Sequence, residues 1–122
     1  MSLVARHLEA HGIPTVIMGC AKDIVEHCGV PRFLFSDFPL GNQAGRPFDV
    51  ASQRETLELA LSVLESAPAA RTTVQSPLRW GADAAWKRDF NDLSKLSSEQ
   101  IEARRREFDV VKSVAKGKRE EA

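Results

Sequence analysis

The sequence predicts an α/β protein: a small parallel-sheet βαβ fragment, Rossmann-like in outline, followed by an amphipathic helix and a helical C-terminal extension. Three observations predict it. Ile13–Met18 is a short apolar, β-branched run bounded by Gly12 and Gly19, the pattern of a strand buried on both faces of a parallel sheet. Val30–Phe35 is a second such run, and the stretch between the two is short and helical in composition. Further on, Leu57, Ala60, Leu61 and Leu64 recur at i, i+3, i+4 and i+7, one apolar stripe of a helix.

Taken in order, Ser2–His11 reads as a helix, with Leu3, Val4, His7, Leu8 and His11 at helical spacing and Gly12 just past its end. An α/β domain ordinarily opens on a strand, because an edge helix has nothing to pack on until a sheet exists. A leading helix is therefore expected to follow further sequence upstream. After the first strand, Ala21–His27 forms a short helix that presents Ile24 and Val25 to the sheet and stops at Gly29. Phe38–Val50 contains Pro39, Gly41, Asn42, Gly45 and Pro47, which exclude a helix interior or a central strand. A loop of about a dozen residues is long for a compact domain, and such loops are often functional. Asp49 or Ser52 caps the next helix, and Ser52-Gln53-Arg54-Glu55 has the capping-box pattern. Burying its three stripe leucines is expected to contribute about 1.5–3 kcal/mol each. Ala67-Pro68 closes it. Residues 1–68 are thus expected to form the α/β core, and residues 69–122 an extended arm plus a helical tail. Within the tail, Asp83–Leu93 is a short helix using Trp86, Phe90 and Leu93. Ser97-Ser98-Glu99-Gln100 starts another helix, to about Ala115, with a thin apolar face of Ile101, Phe108, Val111 and Ala115. Lys116–Ala122 is expected to fray.

Composition narrows the function classes. The chain has 122 residues, 43% hydrophobic and 28% charged, with a formal net charge of zero. That balance argues against a dedicated nucleic-acid or membrane-surface protein. No apolar run approaches the roughly 20 residues needed to span a bilayer, and the N-terminus has no secretory pattern. Cys20 and Cys28 are too few for a disulfide framework, so reduced thiols and a cytoplasmic location are expected. No motif calls for a cofactor.

The candidate site follows from the strand ends, because ligands of parallel sheets sit outside the carboxyl ends of the strands. Two such ends meet here, at Gly19-Cys20 and Ser36-Asp37. Asp37 can accept hydrogen bonds or protons, Asn42 can donate to a carboxylate, and Gly41 and Gly45 allow backbone amides to approach a ligand. The plainer reading is that Asp37 and Asn42 satisfy turn backbone. Cys20, at a strand end beside a helix N-terminus, sits where a thiol pKa can be lowered; the plainer reading is a small buried apolar residue, as it is for Cys28. His7 and His11 are at chelating spacing but lack a third ligand, so no metal site is expected. Arg104-Arg105-Arg106 lies among Glu99, Glu102, Glu107 and Asp109 and reads as a solvated helix face.

The runs Leu3–Val16, Asp23–Phe33 and Phe38-Pro39-Leu40-Gly41-Asn42 resemble the C-terminal part of a reductase family: the selenoprotein B-type subunits of the glycine, sarcosine and betaine reductases and their D-proline reductase relatives. The resemblance covers about residues 2 to 80 and is most specific at the Pro-Leu-Gly-Asn loop with its following helix. The tail from Trp86 to Lys116 is similar to an extension of shorter members of unassigned substrate. In that family the reactive centre is a selenocysteine or cysteine paired with a second cysteine, placed just before the helix that here begins at Ser2. This chain lacks that motif, and a UGA selenocysteine codon read as a stop would produce such a split. Gln43 replaces a common proline and Cys20 a small residue. The resemblance therefore implies a thiol- or selenol-dependent reductase acting by reductive C–N cleavage on a small amino-acid-like substrate. Asp37, Asn42, Gly41 and Cys20 would wall the pocket, with no catalytic residue in this chain and the redox motif supplied by another polypeptide or by an oligomer. The alternatives are a non-catalytic binding or assembly module, docking through the Trp86/Phe90 and Phe108 helices, and the product of a truncated open reading frame.

Overall fold

The computed structural model describes residues 1–89 and 92–120. The chain divides into two compact units, Met1–Asp83 and Ala84–Ala122. The first is an α/β unit built from α1 (Ser2–Ala10), β1 (Ile17–Gly19), α2 (Lys22–Cys28), β2 (Arg32–Phe35), α3 (Val50–Ser66) and β3 (Thr72–Gln75). The second holds α4 (Trp86–Asp89), a 3-10 turn at Leu93–Lys95 and the long helix α5 (Ser98–Glu120).

Among the described residues the three strands form one parallel sheet in the order β1-β2-β3. β2 is the central strand. Its residues alternate between faces, as any strand's must. Leu34, fully buried, packs with Ala60 and Val63 of α3, flanked by Val16, Met18 and Leu59. Phe33 lies on the opposite face, where its ring and Val25 of α2 crowd Gly19. The sheet is thus covered on both sides, the condition under which parallel sheets occur.

Several expectations shift. The first strand is shorter than Ile13–Met18 and is not buried on both faces. It runs from Ile17 to Gly19 at the sheet edge, with Val16, Ile17 and Met18 each half-buried and Ile13 exposed. Pro14 has no amide to donate, and the Thr15 amide bonds the Glu9 carboxylate, so neither can join a ladder. Ile24 faces solvent and only Val25 turns inward. On α3 the buried stripe is Ser52, Thr56, Ala60 and Val63, whereas Leu57 and Leu61 are about half exposed, at 53% and 49%. Small residues face the sheet because they let the helix lie close to Leu34. Asp49 caps α3, its carboxylate accepting from the Ser52 amide at 3.0 Å. Ser52 turns back, and its hydroxyl accepts from the Arg46 amide at 2.7 Å. Part of the arm after residue 69 enters the sheet: β3 pairs along all of β2, and the Arg71 amide donates to the Pro31 carbonyl at 2.7 Å.

In the second unit, Ser97 and Gln100 form the reciprocal capping box. The Ser97 hydroxyl accepts from the Gln100 amide at 3.2 Å, and the Gln100 side-chain carbonyl accepts from the Ser97 amide at 3.0 Å. The helix continues to Glu120, through residues expected to fray. Phe90 and the side chains of Leu93 and Ala115 lie outside the described residues. Among the described residues no helix is long and apolar enough to cross a membrane.

One polar tie joins α1 to the sheet. The Glu9 carboxylate takes the Arg32 guanidinium at 2.6 Å and the Thr15 hydroxyl at 3.0 Å, together with the Thr15 amide. Burial alone would raise the Glu9 pKa, but the Thr15 hydrogen bonds and the Arg32 charge outweigh it and hold the carboxyl below its usual value.

Two predictions follow from this packing. Leu34→Ala should cost about 3 kcal/mol in denaturant unfolding, and Leu61→Ala less than about 1 kcal/mol. Glu9 is expected to shape the acid limb of stability. The unfolded chain protonates Glu9 at a higher pH than the folded one, so its contribution is full above the ordinary carboxylate pKa and is lost as pH falls through the lowered folded value. Unfolding curves of Glu9→Gln should lack that component, so the gap between wild type and variant narrows on acidification.

Candidate functional site

The site forms where the three parallel strands end. The ladder continues one residue past each pairing: the Ser36 amide donates to the Gly19 carbonyl at 2.9 Å, and the Ser76 amide to the Phe35 carbonyl at 2.8 Å. Cys20, Ser36 and Ser76 therefore stand in a row across the carboxyl edge. Each is two residues beyond Met18, Leu34 or Val74, so alternation puts their side chains on the α3 side. Ser36 and Ser76 are buried. The Ser76 hydroxyl accepts from the Leu78 amide at 3.2 Å. The Ser36 hydroxyl is buried with no hydrogen-bond partner among the described residues, a costly state for a polar group.

The loop after β2 closes over this edge. Phe38 is buried and meets the Trp80 ring edge-on at 5.4 Å. The Phe38 and Asn42 amides both reach the Cys20 sulfur, and Asp37 lies close enough for its charge to act on the thiol. Asn42 shares its backbone amide with the Pro39 carbonyl at 3.1 Å, and its side-chain nitrogen donates to the same carbonyl at 3.1 Å. The Asn42 side chain thus satisfies turn backbone. Gly41 takes a positive φ of 96°, which favours glycine. Gly45 is constrained more tightly: a Cβ there would lie 2.8 Å from the Gln53 backbone, so only glycine lets the loop rest on the first turns of α3. Arg46 ties the loop down further, accepting from the Gln53 side chain at 3.0 Å and donating to the Arg79 carbonyl.

Beside the thiol lies a concavity of about 390 Å³, lined by Gly41, Asn42, Ala44, Gly45, Pro47, Met18, Gln53 and Leu57. Of the candidate residues, Cys20, Asp37 and Asn42 gather around one sulfur, and Gly41 and Asn42 line the adjoining concavity. Ser36, named from sequence only as a strand end, belongs to the same region, as do Met18 and Gln53, which sequence reasoning missed. The signal for Ser36 was its place two residues after the core residue Leu34. Cys28 is exposed at the end of α2.

Burial pushes the Cys20 thiol pKa up, and the negative charge of Asp37 adds to it, against the two amides, which favour the thiolate. The strand-end position allows a lowered pKa, but burial here outweighs the two amides and the pKa is raised. A thiol whose pKa is raised is a poorer nucleophile at neutral pH, and Cys20 itself is not among the residues lining the concavity. Among the described residues no group of three His, Cys, Asp or Glu side chains is placed to hold a metal.

No family model matches the chain, and no solved structure matches it. Among curated proteins it is 31% identical over 80 residues to the D-proline reductase subunit gamma of Acetoanaerobium sticklandii. The chain is similar to a subunit of a reductase. The match takes in 66% of this chain and 33% of that protein, so the chain spans about a third of the relative's length. The likeness is to the reductase subunit broadly and does not single out the selenoprotein B type.

In a Cys28→Ser background, the pH profile of Cys20 alkylation by iodoacetamide should have its midpoint above that of free cysteine. Asp37→Asn should move the midpoint down and speed alkylation at pH 7.5 by roughly three-fold. An unchanged profile would show that Asp37 does not act on the thiol.

Proposed function

We propose that this chain is one part of a thiol- or selenol-dependent reductase of the glycine/sarcosine/betaine/D-proline type. Its share is the strand-end wall of the pocket: Cys20, Asp37, Gly41 and Asn42. The observation that carries the reading is the similarity to the D-proline reductase subunit gamma. The strand-end geometry agrees with it in chemical terms. Reductive opening of a C–N bond takes two electrons and two protons. A thiol–thiol or selenol–thiol pair supplies both by closing to a disulfide or selenenylsulfide. Such a pair needs a low-pKa member, and Cys20, whose pKa is raised by burial and by Asp37, is poorly suited to that role. In this reading the reacting pair is supplied from outside these 122 residues, by another polypeptide or an oligomer. Asp37 suits a cationic amine and the loop amides suit a carboxylate, which together fit an amino-acid-like substrate.

A second reading, an assembly module working through its C-terminal helix, is favoured by α5, where Ile101, Phe108 and Val111 are exposed along 23 helical residues.

The test is reduction of D-proline, glycine, sarcosine and betaine with dithiothreitol as reductant. The purified chain alone is expected to give no turnover. Adding a polypeptide that carries the paired selenocysteine or cysteine motif should give turnover of one of the four, and Asp37→Asn should reduce it by at least ten-fold. Turnover by the chain alone, or none with any such polypeptide, would sink the reading.

A further inference from the structure

The last turn of α1 holds two imidazoles side by side. His7 and His11 are four residues apart, and residues at that spacing share one helix face. Their ring centres lie 4.3 Å apart, with the planes tilted by 46°. Both residues are exposed, so neither ring belongs to the core. Two histidines at this spacing on a helix can grip one metal ion. Two imidazole nitrogens about 2.0–2.1 Å from one ion, roughly at right angles, put their ring centres about 4.5 Å apart, close to the separation here. For want of a third ligand the sequence predicts no metal site; the ring geometry bears on an open one.

Hydrogen bonding sets which nitrogen is offered. The His11 Nδ1 lies 2.8 Å from the His7 carbonyl oxygen. A carbonyl only accepts, so Nδ1 carries the proton, and in the neutral ring the lone pair is on Nε2. This is the usual second contact of a metal-bound histidine, with one ring N–H held by a backbone carbonyl while the other nitrogen meets the ion. The backbone under the rings is fixed as well. The His11 and Ile13 amides donate to the Leu8 carbonyl at 2.9 and 3.0 Å, and the Gly12 amide to the Glu9 carbonyl at 3.0 Å. Glu9, between the two histidines in sequence, is engaged by Arg32 and Thr15. Within α1 the residues three and four positions from the pair, Leu3, Val4, Leu8 and Ala10, carry no charge. These neighbours set no positive charge against an ion, and a helix C-terminus favours a cation.

We propose that His7 and His11 form an open, two-ligand site for a late first-row divalent cation such as Zn2+ or Ni2+. The remaining coordination positions are left to water or to a small ligand from solution. Imidazole nitrogen suits these ions, whereas Mg2+ and Ca2+ prefer oxygen. A closed structural zinc site takes four protein ligands, and among the described residues no group of three His, Cys, Asp or Glu is placed to hold a metal. The ion is therefore exchangeable. The inference lies on α1, away from the strand ends, and stands apart from the reductase reading.

The experiment is isothermal titration of the full chain with ZnCl2 and NiCl2, and with MgCl2 as the control. A Cys28→Ser background removes the exposed thiol as a ligand. One Zn2+ or Ni2+ should bind per chain, and Mg2+ should give no saturable heat. His7→Gln and His11→Gln should each weaken binding at least ten-fold, to the level of the double variant, because either change leaves a lone imidazole. His27 is a single exposed imidazole elsewhere, and His27→Gln should leave the affinity within two-fold. In nitrogen-detected NMR, Zn2+ should shift Nε2 of both His7 and His11 while the His11 Nδ1 proton stays in place. Both rings are exposed, so the glutamine variants keep the fold, and unchanged far-UV circular dichroism checks this. Binding that survives either glutamine variant, half an ion per chain, coordination through the His11 Nδ1, or no saturable binding would overturn the proposal.

Discussion

Leu34 pressed against Ala60 and Val63 is the contact on which the first unit depends. It sets the height of α3 above the sheet. Because β2 pairs with a strand on each side, it also fixes the register in which all three strands end. The row of Cys20, Ser36 and Ser76 follows from that register, and the loop follows from the height of α3. Asp49 and Ser52 bind the loop's end to the first turn of the helix. The site is therefore a product of sheet register and helix depth together, with little freedom left to individual loop residues.

The chemistry at the strand ends is a balance of opposed effects on one sulfur. Two backbone amides point at Cys20 as they would at an anion, while burial and Asp37 oppose ionisation. The buried Ser36 hydroxyl beside it has no partner among the described residues. Polar groups left in this condition are uncommon in folded proteins and call for a functional explanation.

Much of this was legible in the sequence, for identifiable reasons. The Ser97 capping box, the end of α2 at Gly29 and the loop from Phe38 onward are local features, fixed by residues within a few positions of each other. The strand ends were legible because apolar runs stop at Gly19 and Phe35, and this brought Cys20, Asp37 and Asn42 into view. The misread parts depend on distant contacts. Leu57 and Leu61 form the more hydrophobic stripe of α3, but the sheet accepts Ser52, Thr56 and Ala60, whose small size permits close approach. Ile13–Met18 has the composition of a central strand, and composition does not count neighbours. Thr72–Gln75 is polar enough to read as an arm, and it becomes a strand only because β2 offers a free edge. Ser36 is legible as a strand-end residue but carries no role in the sequence, because a serine after an apolar run looks like an ordinary turn residue; its burial is visible only once α3 is in place.

The close approach at Gly45 bears on how this loop can vary in length. The loop is pinned at one end by Phe38 beneath Trp80 and at the other by Gly45 and Arg46 against α3. An inserted or deleted residue beyond Gly45 would push backbone into backbone, and one next to Phe38 would pull the ring from its seat. Leu40, Gln43 and Ala44 are exposed between these two anchors. Changes in loop length should concentrate there, at the rim of the concavity, where they would alter the opening and leave the row of strand ends as it is.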